Sequence, residues 1–200
     1  MSRLRYATTR ALYETFPRKV TKLAEPPTDE PPVAFLKRLA AEEKFEDAMT
    51  FCAYMLPRRE AVWWGCGCVR AFIRDIVQDR AGCLVAAEAW VREPDEARRL
   101  YALDIGRRGD NNDELTWLAL AAGWAGGQLG AHPKLQVPVP QYLTPRAVRI
   151  AVLLSALHIS PPDKVARINA RIEEGIKLAE LGINGSGGKA QARKEVERWR

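Results

Sequence analysis

Apolar residues recur three and four positions apart along most of this chain, and no stretch sustains an every-second-residue alternation bounded by hairpin turns. The pattern predicts helices throughout. Leu12, Tyr13 and Phe16 share one side of a short first helix, with Thr8 or Thr9 as N-cap and Pro17 as its end. Val33, Leu36 and Leu39 seed a second, and Phe45, Ala48, Met49, Cys52 and Leu56 a third. A fourth, over 57–77, carries Val62, Cys66, Val69 and Ile73 on one face and Trp64, Cys68 and Phe72 on another, which places it at the centre. Further helices are expected over 79–92, 94–108 (Pro94 at the first turn, Gly109 as the stop) and 112–126 (Asn111 or Asn112 as cap). Thr144-Pro145 restarts the pattern with Ala147, Ile150, Ala151, Leu154 and Leu157 inward. Ser160-Pro161 opens the last helix, which buries Val165, Ile168, Ile172, Ile176 and Ala179 and stops near Gly182. The expected fold class is all-α, a compact array of about eight helices in mostly antiparallel pairs, with solenoid-like stacking as a variant.

Three stretches interrupt the helices. Residues 25–32 hold four prolines, which withdraw donors and restrict their predecessors, so they form an extended connector. They divide an N-terminal segment, 1–32, from a helical domain over 33–183. Asn184-Gly-Ser-Gly-Gly then begins a flexible linker and basic tail, 184–200. Residues 127–143 form a long segment without helical period, and segments of that length are often functional. Prolines 133, 138 and 140 keep it extended while Leu135, Val137, Val139 and Tyr142 remain apolar. A partner-binding surface is therefore expected at Leu135, Val137, Pro138, Val139, Pro140 and Tyr142, with folding back over the domain's own core as the alternative.

Composition narrows the function classes. The 200 residues are 47% hydrophobic and 28% charged, an ordinary globular balance. No run of 18 apolar residues exists and the Arg-bearing N-terminus lacks the apolar segment of a secretory signal, so a cytoplasmic protein without a membrane span is expected. The net charge of +6 invites a nucleic-acid reading, but residues 1–22 carry +5 and residues 189–200 carry +3, leaving −2 for the rest. Charge concentrated at chain ends describes tails better than a duplex-reading face, so nucleic-acid binding ranks last.

Candidate chemistry is sparse. Cys66-Gly67-Cys68 lies within a helix, where residues two apart face nearly opposite sides and chelate one ion poorly. With Cys52 and Cys83 they read as reduced packing thiols, and no metal or cofactor is expected. Gly65 and Gly67 would let a neighbouring helix approach. Trp63, Trp64, Trp117 and Trp124 read as core. Arg58 and Arg59 open the central helix and are expected to pair with acids on its neighbours. Only His132 and His158 could serve histidine-based chemistry, and neither Gly-x-Ser-x-Gly nor His-Glu-x-x-His occurs. No catalytic residue is assigned.

Three segments carry a family resemblance: Ala7-Thr-Thr-Arg-Ala-Leu-Tyr-Glu-Thr-Phe-Pro17, Leu56-Pro-Arg-Arg-Glu-Ala-Val-Trp-Trp-Gly-Cys66 and Leu143-Thr-Pro-Arg-Ala-Val-Arg-Ile-Ala-Val-Leu-Leu154. The chain resembles, over most of residues 7–180, a proteobacterial family of small proteins of uncharacterised function found near type VI secretion loci. Its most specific part is Arg-Arg-Glu-Ala-Val-Trp-Trp, residues 58–64. The resemblance implies a non-enzymatic, protein-binding accessory or adaptor for a secretion spike or effector, and it brings no catalytic residue. An enzyme of unrecognised reaction is the alternative.

Overall fold

A computed structural model describes residues 5–74, 76, 81–128 and 137–182. Among these the chain forms ten α-helices and no strand. They are α1 (Thr9–Thr15), α2 (Arg18–Thr21), α3 (Pro32–Ala41), α4 (Phe45–Met55), α5 (Arg58–Phe72), α6 (Ala81–Arg92), α7 (Glu96–Arg108), α8 (Glu114–Gly123), α9 (Leu143–Ala156) and α10 (Pro161–Leu181). The expected all-α class holds, and α2 is an addition the periodicity did not announce.

Helix starts follow the chemistry of capping. Thr8 caps α1 by accepting the Ala11 N–H. Asp95 caps α7, accepting the Arg98 N–H at 2.8 Å, so Pro94 stands outside that helix rather than in its first turn. Asp113, not either asparagine, caps α8 through the Leu115 N–H at 2.9 Å. α9 begins at Leu143 with Tyr142 in the cap position, which puts Thr144 inside the first turn. α5 ends at Phe72, five residues short of expectation, where Ile73 turns extended and Arg167 of α10 takes the Ala71 carbonyl at 3.1 Å.

That last contact belongs to a pattern. Arg59 donates to the Val91 and Arg92 carbonyls at the end of α6 (2.7 and 3.2 Å), and Arg58 to the Ala125 carbonyl just past α8 (2.8 Å). The buried Arg99 reaches the Gly123 carbonyl (2.6 Å). Helix C-termini leave carbonyls unpaired and carry partial negative charge, so guanidinium groups from neighbouring helices satisfy both needs. The expectation that Arg58 and Arg59 pair with acids is thus corrected: helix ends take that role.

α5 lies at the centre, as its two apolar faces require. Ala61, Val62, Trp64, Cys66, Cys68, Val69 and Phe72 are all buried, and α4, α6, α8, α9 and α10 pack around it. Packing is not confined to chain neighbours as in a solenoid. α9 lies on α4 and α5, and α10 returns across α3, α4 and α5. Trp64 Nε1 donates to the Arg171 carbonyl at 2.7 Å, joining α5 to α10. The inward stripe of α9 differs from expectation: Ala147, Val148, Ala151, Val152 and Ser155 face the core, while Leu157 is 79% exposed. Small residues win there because a Cβ at Gly65 of α5 would meet Val148 and Leu118, so the backbones are close. Gly67 has no such role, since a Cβ there makes only an ordinary contact with Arg171.

The N-terminal segment is folded onto this core. Leu12, Tyr13, Phe16 and Leu23 belong to the same apolar cluster as α4 and α5, and the Phe16 and Tyr54 rings meet edge to face at 5.2 Å. The connector is tied back to α1 by the Thr9 and Arg10 N–H groups, which donate to the Glu30 and Thr28 carbonyls at 3.0 Å. From Arg5 onward the N-terminal positive charge therefore sits on folded surface, where a tail was expected. The basic tail over 184–200 lies outside the described residues. No helix among the described residues is long and apolar enough to cross a membrane.

Candidate functional site

The segment expected to bind a partner emerges from α8 and feeds α9. Gln128 and Pro138 form an isolated antiparallel bridge, and the Val139 N–H donates to the Gly127 carbonyl at 3.1 Å. This rung is pinned at Arg99 of α7. Gly127 has φ +73°, and a Cβ there would overlap the Arg99 guanidinium, so glycine is needed for both conformation and space. Val139 is only 6% exposed and Tyr142 is partly buried against the core. Val137, 39% exposed, and Pro138 face outward, with Pro140 between these extremes. Leu135 and His132 lie outside the described residues.

A second exposed apolar group was not foreseen. α6 and α7 form a hairpin in which Gly82 at the start of one faces Ile105 near the end of the other. Moving one turn along both helices brings Val85 and Tyr101 to the same level. Val85, Leu100 and Tyr101 are 53%, 49% and 58% exposed. The inward side of α7 is instead Arg99, Ala102, Leu103 and Gly106. The sequence signal was available: two large apolar residues stand beside, not on, the 99–102–103–106 stripe.

Among the described residues the titratable groups do not assemble a nucleophile with its base. Cys52, Cys66 and Cys68 are buried free thiols whose pKa values burial drives upward, away from the reactive thiolate. Cys83 lines a concavity of about 440 Å³ with Arg108, Asp110, Asp113 and Thr116. Burial raises its pKa too, with Thr116 pulling the other way. His158 Nε2 lies 3.8 Å from Glu114 Oε1, too far for a hydrogen bond. Among the described residues no three His, Cys, Asp or Glu side chains are grouped as metal ligands would be. A different concavity, of about 310 Å³, opens between α2 and α9. It is walled by Lys19, Val20, Lys22, Tyr142, Arg146 and Arg149, so the segment that ends at Tyr142 leads directly into it.

With this geometry in place, comparison with known proteins adds one assignment. The model of a family of unknown function, DUF6931, matches residues 35–179, which run from α3 almost to the end of α10. The chain belongs to that family. DUF6931 as matched here includes the central α5, the α6–α7 hairpin and the α9 wall of the basic concavity, whereas α1, α2 and the connector precede the match. No curated protein and no solved structure matches the chain. The family description states no function.

Proposed function

We propose that the protein is a non-enzymatic accessory or adaptor that binds another protein. The observation that carries this reading is the outer side of the α6–α7 hairpin, where Val85 and Tyr101 stay more than half exposed at one level, with Leu100 about half exposed on the other flank of α7. Single exposed apolar residues are ordinary, but two large ones at one level of paired helices, with a third on the adjoining flank, suit the apolar centre of an interface. Tyrosine is favoured there because its ring gives large contact area at small entropic cost. The strap at Val137 and Pro138 is anchored at Arg99 of the same α7 and supplies a second contact. Pro140 completes the proposed strap surface, with Val139 and Tyr142 supporting it from beneath; Leu135 lies outside the described residues. The resemblance to proteobacterial proteins of type VI secretion loci supports a spike or effector component as the partner, and a cytoplasmic site of action goes with it.

The test compares three forms of the full chain as bait in the native bacterium. Wild type, Leu100→Ser/Tyr101→Ser and the remote exposed control Leu181→Ser are purified and their companions quantified by mass spectrometry. One protein should be retained by wild type and control and lost with the hairpin variant, whose melting temperature stays within a few degrees of wild type. Equal retention by all three forms would remove the hairpin from the interface, and the absence of any reproducible companion would defeat the adaptor reading.

A further inference from the structure

The concavity between α2 and α9 gathers positive charge from two distant parts of the chain. Tyr142, Arg146, Arg149 and Ile150 occupy positions i, i+4, i+7 and i+8, a single stripe of α9. Across from them α2 supplies Lys19, and Lys22 closes that helix in the left-handed conformation at φ +66°. That conformation ends α2, with the Lys22 N–H donating to the Arg18 carbonyl, and turns the chain at the rim of the concavity.

The four cations are not equivalent. Arg149 is fixed by Thr50 Oγ1 and Glu46 Oε1, each at 3.1 Å, so its charge is compensated and its position set. Lys19, Lys22 and Arg146 have no acidic partner among the described residues. Three uncompensated charges therefore face one volume of about 310 Å³, at the small end of ligand-sized pockets. A single carboxylate would leave two of them unpaired. A phosphomonoester or diphosphate, carrying two to three negative charges in a compact group, matches both the charge and the space. Lysines act on it as point charges, and arginine offers a planar fork. Val20 and Ile150 add an apolar edge for the remainder of the molecule.

We propose that this concavity is a binding site for a terminal phosphoryl or diphosphoryl group, held by Lys19, Lys22 and Arg146 and positioned by the anchored Arg149. The site is independent of the hairpin face, so either reading can fail alone.

The experiment is titration calorimetry of the full chain with inorganic pyrophosphate in 150 mM sodium chloride. Lys19→Gln/Arg146→Gln should weaken binding at least tenfold, whereas Lys164→Gln/Lys177→Gln, which removes the same charge from α10, should leave it within twofold. Both double variants should keep the wild-type melting temperature, since none of these side chains is buried. The two sources of a phosphoryl group are separated by vesicles with and without a phosphoinositide. Binding to the phosphoinositide vesicles that is lost in Lys19→Gln/Arg146→Gln assigns a lipid headgroup, and pyrophosphate binding without vesicle binding assigns a soluble molecule. Absence of pyrophosphate binding, equal loss in the two variants, or tighter binding of a single-stranded oligonucleotide than of pyrophosphate would overturn the proposal.

Discussion

Two glycines in neighbouring helices show how differently one residue type is used. Gly175 of α10 lies where a Cβ would overlap Cys52 Sγ and press on Trp64 Nε1, the atom that donates to the Arg171 carbonyl. Gly67 of α5 leaves room for a Cβ, with only Arg171 at 3.6 Å. Replacing either by alanine gains about 0.5–1 kcal/mol of helix propensity. At 175 that gain is outweighed by forcing α10 away from Cys52 of α4 and, less severely, from Trp64 of α5, an overpacking cost of about 1–3 kcal/mol. Urea denaturation should therefore show Gly175→Ala destabilised and Gly67→Ala unchanged or slightly more stable. If both moved the same way, the close approach of α10 to α4 and α5 at Gly175 would be in error. From the sequence Gly65 and Gly67 were both expected to admit a neighbouring helix, and only Gly65 does so. Gly175 gave no local sign, since its neighbours in space, Cys52 and Trp64, are more than a hundred residues away in the chain.

At the scale of elements, the arginine-to-carbonyl contacts tie helices together end to side. Arg59 holds the end of α6 through two carbonyls, and α6 in turn buries Glu88 against Arg70 of α5 at 2.5 Å. Arg59→Met keeps the aliphatic stem and removes both donors. The expected cost is about 1–2 kcal/mol, the range for charged donors at a partly exposed helix end. Hydrogen exchange should quicken in the last turn of α6 more than in α9, and Arg59→Lys should recover only part of the loss because a strongly hydrated point charge lacks the preorganised planar fork whose Nε and Nη2 reach the two carbonyls separately. Uniform quickening across all helices would mean that Arg59 supports the core and not the helix end. Helix positions were legible because apolar spacing records which side is buried, and α5 was rightly placed at the centre from its two apolar faces. What was not legible were choices made between elements. Asp113 caps α8 where Asn111 or Asn112 was expected, and the small side of α9 faces inward because α5 approaches it at Gly65. The cations of the α2–α9 concavity share the same obscurity: 19, 22, 146 and 149 join only after folding. The hairpin face was more accessible, since Leu100 and Tyr101 already break the inward stripe of α7.

For the whole molecule, the buried groups that ionise on the alkaline side set how stability depends on pH. Tyr13 and Tyr54 are both pushed up to about 12, in each case first by burial; for Tyr13 the nearby Asp47 adds to it, and for Tyr54 Arg149 and Arg146 oppose it. Tyr13 donates to the Glu25 carbonyl at 2.6 Å and Tyr54 to the Val20 carbonyl at 3.2 Å, bonds that only the protonated phenol can make. Burial raises the thiols of Cys52, Cys66 and Cys68 in the same direction. In the unfolded chain thiols release protons near pH 8.5 and phenols near pH 10, while the folded chain holds them longer. The folded state therefore binds more protons above those values, and by linkage its stability falls as pH rises. Stability from these groups should be fully present below about pH 8.5, begin to decline as the unfolded chain's thiols ionise, and fall more steeply between pH 10 and 12 as its phenols follow. A series of urea midpoints from pH 7 to 11.5 should trace this curve. Tyr13→Phe/Tyr54→Phe, though less stable at pH 7 through two lost hydrogen bonds, should show a shallower decline above pH 10, because phenylalanine has no proton to release. A variant curve parallel to wild type above pH 10 would show that these phenols already ionise freely in the fold. The N-terminal segment would then not be sealed against α4, since Tyr13 belongs to α1 and Tyr54 receives Phe16 against its ring.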